Sequence, residues 1–247
     1  MRLIELQPPD ALDALAVEEA VLEAVNSGGS EPAWLIWTAP ARCAVLGTAR
    51  PAEGDLYLEN LRSDGAGIFR RRSGGGTVLL GPECPVVTMV ERLAAPGAGS
   101  IRDSYRAFCE VLIAALRRAG VEPGFEPPAD LACGGRKLAG MAQRRKRAAV
   151  LVTASVLAEP LAGPAGRYLR EPGPKDAPGY RAGRSHDRFM TSLAELGLRP
   201  AAGAFCEALR AELAARGAAR GELRPAERER SAVLQAELAK PGWLYRF

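Results

Sequence analysis

Two stretches of the chain concentrate residues that can do chemistry. The first, Phe69–Leu80, reads FRRRSGGGTVLL. Its arginines offer forked donors suited to phosphate or carboxylate. Gly74, Gly75 and Gly76 let backbone N–H groups approach a ligand with no Cβ in the way. If the arginines lie on a strand, Arg70 and Arg72 face one side and Arg71 the other, so only one set can reach a given site. The common nucleotide loops do not fit. No Gly-Lys-Ser/Thr follows the glycines, and Leu79 stands where GxGxxG needs its last glycine. Those loops open a helix, whereas Thr77–Leu80 is β-prone, so the pattern is strand–glycines–strand. Taken alone, it is matched by a bland alternative, a turn between strands with solvated arginines.

The second stretch, Asp130–Arg145, reads DLACGGRKLAGMAQRR. Lys137 sits in a strand-like segment beside Ala139, Gly140 and Ala142, whose bare backbone suits close packing of a ligand. Its competing reading is a surface lysine on a basic hairpin, since Arg136, Arg144, Arg145, Lys146 and Arg147 are near.

Composition narrows the classes open to these residues. A chain of 247 residues with 47% hydrophobic content reads as globular and soluble. No window approaches a membrane-spanning apolar run, so no transmembrane helix is expected. MRLIELQPPDALD lacks the layout of a signal peptide, which places the protein in the cytoplasm. Cys43, Cys84, Cys109, Cys133 and Cys206 are odd in number and never in CxxC spacing, which argues against a disulfide framework or a structural zinc site. The single histidine, His186, excludes any site that needs two. A formal charge of +4 is too weak to indicate a nucleic-acid binder.

The elements that must position the two stretches are legible from periodicity. Strands are expected at Arg2–Leu6, Trp34–Thr38, Cys43–Leu46, Ile68–Arg71, Thr77–Leu80, Pro85–Val90 and Ala148–Leu157. Asp10 caps a helix that Ser27-Gly28-Gly29 ends, and a longer helix runs from Ile101 to Ala119. Leu131–Cys133, a Gly134-Gly135 turn and Lys137–Gln143 form a hairpin. Pro160–Pro178 reads as a long surface connection. Helices follow at His186–Leu196, Ala201–Ala215 and Pro225–Ala239. The order predicts an α+β fold on a mixed, largely antiparallel sheet flanked by helices. A main unit spans residues 1–184, and a C-terminal helical portion, 185–247, packs on it.

Together, the two stretches resemble the lipoate–protein ligase family, within the wider biotin/lipoate ligase and octanoyltransferase superfamily. The family's Arg-Arg-x-Ser/Thr-Gly-Gly-Gly appears as Arg70-Arg71-Arg72-Ser73-Gly74-Gly75-Gly76, with Thr77-Val78 after it. Its Asp-Leu, turn, Lys-x-x-Gly-x-Ala block appears as Asp130-Leu131 and Lys137 to Ala142. Weaker matches lie in Leu15–Leu22, Trp37–Gly47, Tyr180–His186 and Pro241–Trp243, so the resemblance spans nearly the whole chain. It implies a core like those of biotin ligases and class II aminoacyl-tRNA synthetases. It also implies an ATP reaction with Mg2+ in two steps. Lipoate or octanoate becomes acyl-AMP, and the acyl group then passes to a lysine of a lipoyl domain, from a 2-oxoacid dehydrogenase or a glycine-cleavage H-type protein. Lys137 would be catalytic. Arg71, Ser73, Gly74, Gly75, Gly76, Thr77, Asp130, Gly140 and Ala142 would bind the acyl-adenylate, and Trp37, Leu46 and Val78 would line the acyl slot. No residue is assigned as a metal ligand, and neither nucleic acid nor membrane is an expected partner.

The chain departs from the family at two places. Ligases usually carry a histidine just after the glycine loop, where this chain has Leu80. They often carry another in the strand after the lysine, where it has Val152-Thr153-Ala154-Ser155. Some single-domain relatives need a separate accessory protein for adenylation, which is a second expected partner. The alternatives are an ATP-independent octanoyl or lipoyl transferase using a thioester donor, with Cys133 or less favourably Cys84 as nucleophile, or an inactive homologue that binds lipoyl domains. His186, with no paired acid in the sequence, reads as a structural or substrate-proximal polar group rather than a general base.

Overall fold

The computed structural model describes residues 1–247, and every side chain except that of Ala162. β1 (Arg2–Glu5) leads into α1 (Ala11–Ser27). The Asp10 carboxylate caps α1 by accepting from the Asp13 N–H at 2.9 Å. Gly28, at φ +85°, closes it in the left-handed conformation that glycine adopts without a Cβ clash. β2 (Ala33–Trp37) and β3 (Cys43–Leu46) are buried along their whole length. Two short helices, α2 (Ala52–Asp55) and α3 (Leu58–Ser63), precede β4 (Gly67–Arg70), β5 (Val78–Leu80) and β6 (Val86–Arg92). A capping box of Ser100 and Asp103 starts α4 (Ile101–Arg118). The hairpin strands follow: β7 (Gly124–Glu126), β8 (Asp130–Cys133), β9 (Arg136–Arg145) and β10 (Ala149–Val156). Gly134 and Gly135, at φ +55° and +72°, supply the two left-handed positions that a tight β8–β9 turn requires.

The C-terminal third carries α5 (Ala162–Tyr168), α6 (His186–Phe189), α7 (Ala201–Ala215), β11 (Ala219–Arg220), α8 (Pro225–Leu238) and α9 (Pro241–Leu244). Three differences from the sequence reading stand here. The connection read as loop, 160–178, contains α5. The helix expected over His186–Leu196 is one turn long, because Met190 pairs with Lys137 as an isolated parallel bridge and pulls the chain onto the sheet. The C-terminal portion is not purely helical, since β11 pairs in parallel with β1 at the edge of the main sheet.

The strands form two sheets. The larger has the order β11-β1-β2-β6-β10-β9-β8-β7, parallel at β11–β1 and β1–β2 and antiparallel elsewhere. Strand alternation sorts its faces. Trp34, Ile36, Val150 and Val152 pack against α4 and α7 on one side, while Leu35, Val90 and Leu151 pack against α1 on the other. The smaller sheet has the order β4-β3-β5 and forms a second core with the start of α1, with α5 and with α8. β4 and β5 do not pair with each other; each flanks β3, one parallel and one antiparallel. The glycine segment between them is therefore a crossing over the end of β3, not a hairpin turn. No helix among the described residues is long and apolar enough to cross a membrane.

Candidate functional site

The glycine segment is held by its neighbours' backbone. The Gly74 N–H donates to the Gln143 carbonyl of β9 at 3.2 Å, and the Thr48 N–H donates to the Ser73 carbonyl at 3.0 Å. Gly75 sits at φ +87° with its carbonyl against Gly47, so close that a Cβ on Gly47 would lie 2.1 Å from that oxygen. Arg71 is buried beneath the segment. Its guanidinium donates to the carbonyls of Gly74 and Gly76, both at 2.7 Å, and of Val45 at 3.2 Å. With no carboxylate bonded to it, burial pushes its pKa down to about 10. The arginine expected to grip a ligand is thus first a strut for the loop, with its Nε left unpartnered. Alternation along the strand directs its neighbours elsewhere. Arg70 donates to the carbonyls of Gly47, Arg50 and Leu244, and Arg72 pairs with Glu237.

Lys137 stands across from this loop on β9. Its ammonium lies 2.7 Å from Asp130 Oδ1, and the Tyr180 hydroxyl donates to Asp130 Oδ2 at 2.8 Å. Burial, then the Asp130 carboxylate, holds the Tyr180 phenol well above its ordinary pKa, so it remains a donor. Gly140 leaves the space that Lys137 occupies: a Cβ there would meet Nζ at 2.8 Å. A register shift between Leu131 and Ala132 places Asp130 opposite Gly140, three residues from Lys137.

A cleft with two lobes opens where the small sheet meets the α1 face of the large one. The larger lobe, ≈ 640 Å³, is lined by Leu15, Trp37, Val45, Leu80, Val86 and Tyr105, with Glu18, Arg71 and Thr153 among them. The smaller, ≈ 380 Å³, is more polar in its charged rim, with Arg50, Asp55, Arg170, Glu171, Asp176 and Arg181. Gly75, Gly76, Thr77, Val78, Lys137, Gly140 and Ser155 line both, so the two lobes join at Lys137.

Most sequence candidates meet there. Asp130, Ala142, Trp37 and Val78 join Lys137, Arg71, Gly75, Gly76, Thr77 and Gly140 in the lining. Ser73 and Gly74 fall outside both lobes, because the Ser73 carbonyl and the Gly74 N–H are spent on Thr48 and Gln143. Leu46 packs in the core of the small sheet instead of an acyl slot. Cys133 lies on the opposite face of the large sheet, in the core with α4, where burial raises its thiol pKa. Cys84 is fully buried, its thiol pushed up to about 12 by desolvation. None of the five cysteines lines either lobe.

Several functional candidates escaped the sequence reading. Arg50 bonds Asp55 and Asp176, and the Thr77 hydroxyl bonds Asp55, which ties the loop to α2 and to the 170s segment. Nothing in the sequence marks Arg50 or Asp55. Glu18 was visible only as part of LAVEEAVL. His186 gains an acid that the sequence could not show: its Nε2 lies 3.3 Å from the Arg170 carbonyl and 3.6 Å from the Glu171 carboxylate. Desolvation is the larger effect and lowers its pKa, favouring the neutral imidazole. Among the described residues, no three acidic, histidine or cysteine side chains gather as a metal site.

Comparison with known proteins gives a consistent outcome. The family model described as the lipoyl protein ligase A/B catalytic domain matches residues 10–214. The octanoyltransferase LipM of Kyrpidia tusciae is 28% identical, across 99% of this chain and 98% of that one. Among solved structures, a lipoate-protein ligase A bound with ATP superposes with a TM-score of 0.86 at 18% identity, covering 99% of this chain and 98% of the other. A bipartite lipoate protein ligase from Thermoplasma acidophilum, studied with its E2 lipoyl domain, superposes with a TM-score of 0.85 at 18% identity, covering 99% and 95%. At that identity the superpositions speak to the fold.

Proposed function

The chain belongs to the lipoyl protein ligase A/B catalytic-domain family, and from that membership we propose that it activates lipoate or octanoate with ATP and joins the acyl group to a lysine of a lipoyl domain. The observation that carries this reading is Lys137 at the junction of two lobes, one lined largely by apolar side chains and one rimmed by charge. The acyl chain takes the larger lobe, against Leu15, Trp37, Val45 and Val86. The nucleotide takes the smaller, whose charged rim includes Arg50, Arg170 and Arg181.

In the first step a carboxylate oxygen of the acid attacks the α-phosphorus of ATP, and the bond to pyrophosphate breaks. In the second, the acceptor amine attacks the acyl carbon, the bond to AMP breaks, and the amine loses a proton. Negative charge grows on phosphoryl oxygens in the first step and on the acyl oxygen in the second. Lys137 uses one N–H on Asp130 and keeps others for these oxygens. Asp130, itself fixed by Tyr180, orients the ammonium. The backbone of Gly75 and Gly76, braced by Arg71, lines the path between the lobes. A Mg2+ arriving with ATP would neutralise phosphate charge. It would be held mainly by phosphate oxygens and water, since the cleft carboxylates Asp55 and Asp176 are paired with Arg50.

A thioester route with a cysteine nucleophile is disfavoured by the cysteine-free lining and by the upward shifts of the Cys133 and Cys84 thiols. The five unbonded cysteines support a reducing, cytoplasmic setting. The test is ATP–pyrophosphate exchange in the presence of lipoate or octanoate, with Lys137→Ala as control. Acid-dependent exchange that falls by roughly 10²-fold or more in the variant supports the assignment. Exchange at the wild-type rate in the variant removes Lys137 from the mechanism. An absence of exchange with either acid, followed by octanoyl transfer from a carrier-protein thioester, would replace the ligase by a transferase. Exchange restored by an added accessory protein would retain the ligase as one half of a pair.

A further inference from the structure

Asp130, Gly140, Ser155 and Val86 stand in one row across β8, β9, β10 and β6: Asp130 pairs with Gly140, Gly140 with Ser155, and Ser155 with Val86. Residues paired directly across antiparallel strands share a face, with Cβ positions about 4.5–5.5 Å apart. The face is the one that looks into the cleft, because a Cβ on Gly140 would meet Lys137 Nζ at 2.8 Å and Asp130 Oδ1 at 3.6 Å. The ammonium therefore lies over the bare middle of the row. It has the Asp130 carboxylate on one side and the Ser155 side chain on the other.

The surroundings of Ser155 leave its proton to a ligand. An ammonium only donates, so Lys137 cannot take it. Asp130 uses one oxygen on Lys137 and the other on the Tyr180 hydroxyl. Val86, the next member of the row, has no acceptor on its side chain. Thr153, the next residue of β10 on this face, stands about 7 Å along the strand and lies 2.8 Å from the Thr88 hydroxyl. Ser155 is half-buried and lines both lobes, as Lys137 does.

The acyl carbon and its oxygen are the part of an acyl-adenylate that belongs to both lobes, so they stand where the lobes join. In the transfer step the acceptor amine adds to that carbon and negative charge gathers on the acyl oxygen. Two donors flank the position: an N–H of Lys137 and the hydroxyl of Ser155.

We propose that Ser155 is a further catalytic residue, whose hydroxyl donates to the acyl oxygen beside Lys137 while the amine attacks. Ser155 keeps its proton and forms no covalent bond; it stabilises the oxyanion by a fixed hydrogen bond. This rests on the acyl carbon standing at the junction of the lobes, and it holds for whichever group leaves that carbon.

Two measurements on the full chain separate the steps. One is octanoate-dependent ATP–pyrophosphate exchange, which reads the first. The other is single-turnover transfer from octanoyl-AMP to a lipoyl domain, which reads the second. Ser155→Ala should slow transfer about 10²-fold, the cost of one oxyanion donor, and slow exchange by less, with an unchanged melting temperature. Ser155→Thr keeps the hydroxyl on a residue that suits a strand, and should restore transfer. Lys137→Ala should lose both steps. Wild-type transfer in Ser155→Ala, an equal loss in the two steps, or a loss that threonine does not restore overturns the role of Ser155. A wild type that transfers only from a carrier-protein thioester overturns the adenylate reading alone, because the comparison of Ser155→Ala, Ser155→Thr and wild type on that donor still decides the hydroxyl.

Discussion

Lys137 occupies the volume that a side chain on Gly140 would take: a Cβ at Gly140 would lie 2.8 Å from Nζ and 2.9 Å from Cε. The atoms it would displace are the end of a flexible chain rather than backbone. Gly140→Ala should therefore leave thermal stability nearly unchanged while pushing the ammonium off Asp130. A displacement of that size at the reacting centre costs roughly 10²-fold in rate. Melting curves and transfer assays on the same preparation check it. A variant with wild-type activity would mean that the ammonium does not work from the position seen here.

Gly47 presents the opposite case. Its missing Cβ faces the Gly75 carbonyl oxygen at 2.1 Å, backbone against backbone. Neither chain can yield without moving β3 or the loop that Arg71 braces. Gly47→Ala should lose about 1–3 kcal/mol of stability, as overpacking does, and should lose transfer as well. Denaturant unfolding monitored in parallel with activity distinguishes it from Gly140→Ala, which loses activity alone.

Cys133 contacts the core with α4, and its thiol lies 3.6 Å from the Glu122 carbonyl. Cys133→Ala should lower stability by about 1 kcal/mol through lost packing and retain transfer. Loss of transfer with the fold intact would return the thioester route to consideration.

Glu18 makes a pH dependence. Burial raises its folded pKa above the ordinary 4.5, so the folded state holds the proton more tightly than the unfolded one. Its contribution is fully present below about 4.5 and is lost as pH rises through the folded pKa. Glu18→Gln, which keeps an acceptor for Trp37 and Thr88, has no proton to lose. Relative to wild type, the variant should gain stability as pH rises above about 4.5, until the folded pKa of Glu18 is passed. Urea midpoints across that range read it directly, and parallel curves for the two proteins would count against a buried, titrating Glu18.

The local devices were legible in the sequence because each has a short-range cause. Asp10 and Gly28 bound α1 through cap chemistry, Gly134-Gly135 set the β8–β9 turn, and β-prone apolar runs marked β2, β6 and β10. The two blocks around Gly74–Gly76 and Lys137 also carried the family resemblance. What the sequence could not show depended on contacts between distant segments. The glycine segment fits a turn equally well until β3 is seen between β4 and β5. Arg71 looks like a ligand-binding arginine until the carbonyls of Gly74 and Gly76 are seen on its guanidinium. Cys133 and Lys137 are four residues apart, yet they serve opposite faces of the sheet because Cys133 pairs with Arg136 across the tight turn and Lys137, the next residue along β9, points the other way. The sequence alone determined which residue types were present and which local geometry each would accept. Tertiary structure decided which faces they reached and which of their hydrogen bonds were already taken, because sheet pairing and side-chain burial are set by segments far apart in the chain.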